Sequence, residues 1–179
     1  ANNTACGALA LDANTTASHN TGIGYSALGA NTTGADNVAV GDFALNANTT
    51  ANNNTAVGSD AMIANTTGTA NVAVGTLALD ANTTADSNTA VGYDSLGTNT
   101  TGAYNTALGY EALRLSTTSS NNTALGRQAL AANTTGTMNT AVGNEAGKNI
   151  TTGPNNIVIG MQAGAHDIDL ITGNQNVII

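Results

Sequence analysis

Seven asparagines, Asn14, Asn31, Asn48, Asn65, Asn82, Asn99 and Asn133, each open an Asn-Thr-Thr triplet. Each is the acceptor of an N-x-Thr sequon, and the chemistry that permits is N-linked glycosylation of the side-chain amide. Asn149 carries a further sequon one residue out of phase, and Asn2, Asn53 and Asn121 add three more. Stacked one above the other, the main column would present a line of glycans along one edge. The same residues also read without any modification. Asn and Thr favour corners, and stacked amides form ladders of hydrogen bonds. The threonines suggest a different use again. Thr15, Thr32, Thr49, Thr66, Thr83, Thr100, Thr117 and Thr134 form one rank, and Thr16 and its equivalents form the next. A regular rank of hydroxyl and methyl groups could order water and bind ice. Adjacent residues of an extended segment point to opposite sides, however, so a Thr-Thr pair offers one outward rank.

Other reactive side chains are few. His19 and His166 lie far apart in the chain, and no Ser-His-Asp or Cys-His set can be assembled from it. No enzyme activity and no cofactor are expected. Cys6 replaces an aliphatic residue at a position expected to lie in the core, so an inert buried thiol is expected. His166, Asp167 and Asp169 form one local cluster. The alternating carboxylates could hold calcium with backbone carbonyls, or the segment is a loop that bulges from the body. Tyr25, Tyr93 and Tyr110 share one position of the repeat described below. They read either as contacts for a sugar or as side chains packed over neighbouring units.

What positions these residues is a repeat. Units begin at Asn3, Asn20, Asn37, Asn54, Asn71, Asn88, Asn105, Asn122, Asn139 and Asn156, always 17 residues apart, and a partial unit begins at Asn176, 20 residues on. Take that Asn as position 0. Position 1 is Thr, Val or Ile, position 3 is aliphatic or Cys6, and position 4 is Gly in all ten units. Position 7 is Ala or Ser95, and position 8 is Leu or Met until Gly147 and Gly164. Positions 11 to 13 read Asn-Thr-Thr in seven units. Alternation over positions 1 to 3 is the period of a short strand with one buried face. The β-branched residues at positions 1 and 3 are expected on that face. The Asn, Thr and Gly content disfavours helix. A second short extended piece is expected around the Ala-Leu of positions 7 and 8. The glycine is expected at a corner, where it supplies a positive φ or a close backbone approach.

Composition agrees with a thin body. Only 8% of the 179 residues are charged and 3% aromatic, with one Phe and no Trp. Such a chain cannot fill a round core, but it can fill a narrow one in which each layer touches only its neighbours. The expected fold is all-β: a single repeat domain over residues 1–179, a parallel β-solenoid or β-roll of about ten and a half coils. Small Ala at positions 2 and 7 lets the two sides approach, and Leu at position 8 fills the wider part. The net charge of −8, with only Arg114, Arg127 and Lys148 as strong cations, argues against nucleic acid. No apolar run is long enough to span a bilayer. The chain has no initiator Met, so it is expected to be processed or a fragment. Both ends fall inside repeats. End-to-end stacking is therefore expected, with Asn3 and Thr4 of one subunit meeting Asn176, Val177, Ile178 and Ile179 of the next.

Units such as Asn105-Thr-Ala-Leu-Gly-Tyr-Glu-Ala-Leu113 and Asn133-Thr-Thr-Gly136 resemble the N-T-A-x-G repeats of phage tail-fibre-like and bacterial surface proteins. More distantly, they are similar to the head repeats of trimeric autotransporter adhesins, which form a β-roll that packs in a trimer. The adhesin repeat is shorter than 17 residues. The resemblance implies a homotrimeric fibre or adhesive shaft outside the cell or on a virion or cell surface. The expected function is a structural subunit of an extracellular fibre, with itself as partner and covalent glycans as decoration. The alternatives are an adhesin that binds surface glycans and an ice-binding solenoid.

Overall fold

The computed structural model describes residues 2–165 and 172–179. Eleven short strands run in chain order from Thr4–Cys6 (β1) through Thr89–Val91 (β6) to Val177–Ile178 (β11). They form one parallel sheet whose spatial order is the sequence order. Each strand pairs with its neighbour in the register of the repeat, Thr4 with Thr21 and Thr55 with Val72, for example. One coil therefore lies on the next at about 4.8 Å, and eleven strands span roughly 50 Å. The result is a β-solenoid. Among the described residues, no helix is long and apolar enough to cross a membrane.

The buried face of the strand is the opposite of the one expected. Position 2 points inward: Ala39, Ala56, Ala73, Ala90, Ala107, Ala124 and Ala141 are fully buried. Positions 1 and 3, with the β-branched and aliphatic residues, point outward and stay partly exposed. The reason is width. At Gly22, an added Cβ would meet the Ala27 carbonyl oxygen at 3.1 Å and Leu11 Cγ at 3.3 Å. The interior is already occupied by Ala at position 7 and Leu at position 8, so the strand can contribute only a methyl group. Cys6 shares the outward position 3 and is exposed, which corrects the expectation of a buried thiol.

The exception explains the rule. Val158 stands where the nine preceding coils have Ala or, at Gly22, Gly, and it is fully buried. In its neighbourhood position 8 is Gly147 rather than Leu, and Ile150 replaces the Asn of position 11. A Cβ on Gly147 would meet Ile150 Cδ1 at 3.0 Å, Leu130 Cδ2 at 3.2 Å and Val158 Cγ2 at 3.7 Å. Ile150 and Val158 thus fill the space that a missing leucine leaves.

The Ala-Leu segment is not a second strand. It is a chain of turns, closed by bonds such as Ala44 N–H to Gly41 O at 3.3 Å and Asn48 N–H to Leu45 O at 3.1 Å. Positions 6, 8 and 16 adopt left-handed backbone in coil after coil, as in Phe43, Leu45 and Asn53 with φ of 57°, 51° and 61°. Each such non-glycine residue costs about 1–2 kcal/mol in isolation. Bonds between coils offset that cost: Leu45 N–H donates to Ala61 O at 3.0 Å and Ala47 N–H to Ile63 O at 3.1 Å. The glycine of position 4 serves both purposes expected of it. Gly75 has φ +137°, and a Cβ there would sit 2.5 Å from the Gly92 carbonyl oxygen.

Candidate functional site

The asparagines of position 0 are buried from Asn20 to Asn156 and partly buried at Asn3 and Asn176, and they form a continuous clasp. Each side-chain amide nitrogen donates to the position-14 carbonyl of its own coil, as Asn71 Nδ2 does to Ala85 O at 2.8 Å. Each side-chain oxygen accepts the backbone N–H of the next Asn up the column, as Asn71 Oδ1 does from Asn88 at 2.9 Å. One side chain therefore closes its coil and fastens it to the neighbour. The pattern continues from Asn3 with Asn20 to Asn156 with Asn176.

A second amide ladder runs along position 11. Asn48 Nδ2 donates to Asn31 Oδ1 at 2.8 Å, Asn65 to Asn48 at 3.1 Å and Asn82 to Asn65 at 2.8 Å. The same nitrogens also donate to the carbonyl three residues on, as Asn65 does to Gly68 O at 3.0 Å. The column breaks at Ser116 and Ile150, and there the Asn99 and Asn133 side-chain oxygens lie buried without a partner. At the first break, Ser116 bonds Ser119, whose hydroxyl also takes the Asn122 and Asn133 amides.

This geometry corrects the glycan line. Asn31, Asn48, Asn65, Asn82, Asn99 and Asn133 are fully buried. A sugar on any of their amide nitrogens would displace core hydrogen bonds and the next coil. Asn14, in the first coil, is partly buried and donates to Ala17 O at 3.3 Å. Exposed sequon asparagines are Asn2, Asn53, Asn121 and Asn149. The Thr ranks separate as the alternation requires. Thr32 and its equivalents up to Thr134 are half-buried, with hydroxyls bound to the next coil, as Thr32 Oγ1 to Thr49 O at 3.0 Å, whereas Thr15 in the first coil is exposed. Thr33, Thr50, Thr67, Thr84, Thr101, Thr118 and Thr135 form the outward rank.

Charge is confined to few columns. Within the described residues every Asp, Glu, Lys and Arg falls on position 5, 6, 9, 15 or 16. Arg127 pairs with Glu145, and Lys148 lies 3.8 Å from the same carboxylate. Gln128 Nε2 donates to Glu111 at 2.6 Å, and this bond lowers the Glu111 carboxyl below its ordinary range. Asp80 behaves differently. Its Oδ1 is buried without a partner. Burial first, then the neighbouring Asp94 carboxylate, pushes its pKa up to about 6. Burial also raises Asp94.

Tyr93 stacks on Tyr110 with ring centroids 5.4 Å apart, and Tyr25 meets Phe43 edge-on at 5.2 Å. All four rings remain well exposed. His19 lies 3.5 Å from Asp36 on the surface. Among the described residues, no group of three His, Cys, Asp or Glu side chains could hold a metal ion. The calcium candidates Asp167 and Asp169, with His166, lie outside the described residues. Of the expected junction residues, Asn3 and Thr4 lie in the first coil, and Val177 and Ile178 pair with Ile157 and Val158. Asn176 bonds Asn156, and Ile179 is exposed.

No family model, no curated protein and no solved structure matches the chain.

Proposed function

We propose that this chain is a structural rod, a subunit of an extracellular fibre or filament. The observation that carries this reading is the unbroken run of backbone pairing and position-0 Asn bonds from coil to coil. Each coil presents the same backbone ladder and the same Asn clasp to the coil above and below, over an interior that is Ala and Leu in most coils and Val158 with Ile150 around Gly147. Stability in such an array is a sum of nearest-neighbour terms, so length is added without new kinds of contact. A stack of this kind supplies stiffness and reach. The same ladder would serve between chains, coil on coil. The resemblance of the repeat to tail-fibre-like and surface proteins motivates a place outside the cell or on a virion.

Negative-stain electron microscopy of the purified chain is the test. Straight rods that exceed the roughly 50 Å of one chain, with uniform width, are the expected result. Compact, equiaxed particles would end the structural reading.

A further inference from the structure

The sequons divide by their place in the coil. At position 11 every sequon asparagine donates its amide to the carbonyl three residues on, as Asn65 does to Gly68 O at 3.0 Å. Asn149 is exposed, but its amide donates to the Ala165 carbonyl, and its sequon encloses the buried Ile150. Asn2, Asn53 and Asn121 share a different place, position 16, the last residue before the clasp asparagine. Asn53 and Asn121 have full coils on both sides and are exposed. Their backbone N–H groups are held by the preceding coil, Asn53 to Ala35 O at 3.2 Å and Asn121 to Ala103 O at 3.1 Å. Their side-chain amides bond nothing among the described residues. The sequon hydroxyls, on Thr55 and Thr123, stand at position 1 on the outward side of the strand, and they too have no partner among the described residues.

We infer that Asn53 and Asn121 are N-glycosylation sites, an inference that rests on the extracellular reading above. The donor is an oligosaccharide linked to a polyprenyl diphosphate. The asparagine Nδ2 attacks the anomeric carbon of the first sugar and loses a proton. The new C–N bond forms as the bond from that carbon to the diphosphate oxygen breaks, and the lipid diphosphate leaves. A threonine two residues on is what makes an asparagine an acceptor, and here both groups are free. Left-handed backbone does not by itself explain asparagine at this position. Asn53 and Asn121 have φ of 61°, yet Ala70, Ser87, Tyr104 and Met138 of the same column hold φ of 57°, 59°, 60° and 59°. Spacing agrees as well. Four coils separate the two sites, about 19 Å, which gives each glycan room that a column occupied at every coil lacks. Glycans add bulk and solubility at a surface. At Asn121 that bulk falls on exposed apolar side chains, because the flanking coils place Tyr104, 64% exposed, and Met138, 58% exposed, in the same column. The first sugars can lie against the Tyr104 ring, whose apolar face and polar tip suit a half-wet contact.

The test is made on the full chain, carrying a secretion signal and recovered from the medium of a eukaryotic host. An amidase that cleaves the sugar–asparagine bond, used in heavy-oxygen water, should leave its mass label on Asn53 and Asn121 and on no buried asparagine of position 11. Thr55→Ala and Thr123→Ala keep both asparagines and should each remove one glycan from the intact mass. Thr55→Ser, which restores a hydroxyl, should retain it. Secreted chain that is bare at both asparagines, or labelled at position 11 in their place, overturns the inference, and this mapping on the unaltered sequence stands even if a variant folds poorly. Electron microscopy of the same sample keeps the two readings apart. Bare rods would refute the glycan sites and leave the structural rod standing, whereas particles glycosylated at Asn53 and Asn121 that are not rods would do the reverse.

Discussion

Truncating one clasp residue, Asn71→Ala, isolates what the amide column contributes. The substitution removes the bond to Ala85 O at 2.8 Å and a longer one to Asn54 Oδ1 at 3.3 Å. It also removes the acceptor for Asn88 N–H. The first two partners stay satisfied. Ala85 O keeps the Asn82 amide, and Asn54 Oδ1 keeps the Asn71 backbone N–H. Asn88 N–H becomes a buried orphan. Two lost bonds at about 1 kcal/mol each and one orphan at about 1–3 kcal/mol give roughly 3–5 kcal/mol. Asn71→Asp sharpens the test. Its carboxylate could still accept from Asn88, but it has no donor for Ala85 O. It should cost at least as much as alanine at neutral pH and recover in acid, where the protonated carboxyl regains a donor. Urea unfolding at pH 7 and pH 3 measures both variants, and exposed Thr67→Ala should stay within about 0.5 kcal/mol. A cost below about 1 kcal/mol for Asn71→Ala, or no pH dependence for Asn71→Asp, would refute the clasp.

Three further outcomes follow from the same geometry. Ala73→Val, inward, should destabilise by about 1–3 kcal/mol through overpacking, whereas Val74→Ala, outward by one residue, should cost about 0.5 kcal/mol or less in the isolated chain; chemical denaturation of the two separates the faces. Asp80→Asn should stabilise the rod at pH 7–8 and change little below pH 4. The folded-state value of about 6 lies above the unfolded one, so the protonated form fits the fold and stability is lost as pH rises through it. That shift is about 3 kcal/mol at face value and about 1 kcal/mol once the half-solvated setting is allowed for, and a flat difference across pH would refute it. Peptide mass spectrometry of folded rods made in a glycosylating host should find Asn31, Asn48, Asn65, Asn82, Asn99 and Asn133 unmodified, and a sugar on any of them would contradict the buried ladder.

The period, the strand position and the Gly corner were legible because duplication repeats them at one spacing. The inward and outward sides of the strand were not. Bulky β-branched residues at positions 1 and 3 look like a core, and alternation alone does not say which phase is buried. A signal was nevertheless present. Val158 enters position 2 only where Gly147 has replaced the leucine of position 8 and Ile150 the asparagine of position 11. That joint change marks positions 2, 8 and 11 as neighbours across one narrow interior. The left-handed turns at Leu28, Leu45 and Leu79 were illegible, because leucine gives no sign of positive φ. The coil closure imposes it. The Asn-Thr-Thr sequons misled for a related reason. Sequon chemistry depends on exposure, and a column that can ladder is also a column that can be buried.

Cryo-electron microscopy at side-chain resolution tests the central claim, a self-stacking rod with its amides inside and its aliphatic ladder outside. The account predicts an axial repeat of about 4.8 Å, two amide columns at positions 0 and 11 within each rod, and the Val and Leu side chains of position 3 on the outside of the coil. Particles without that repeat, or rods in which Val57, Val74 and Val91 point into the core and the asparagines face solvent, would contradict it.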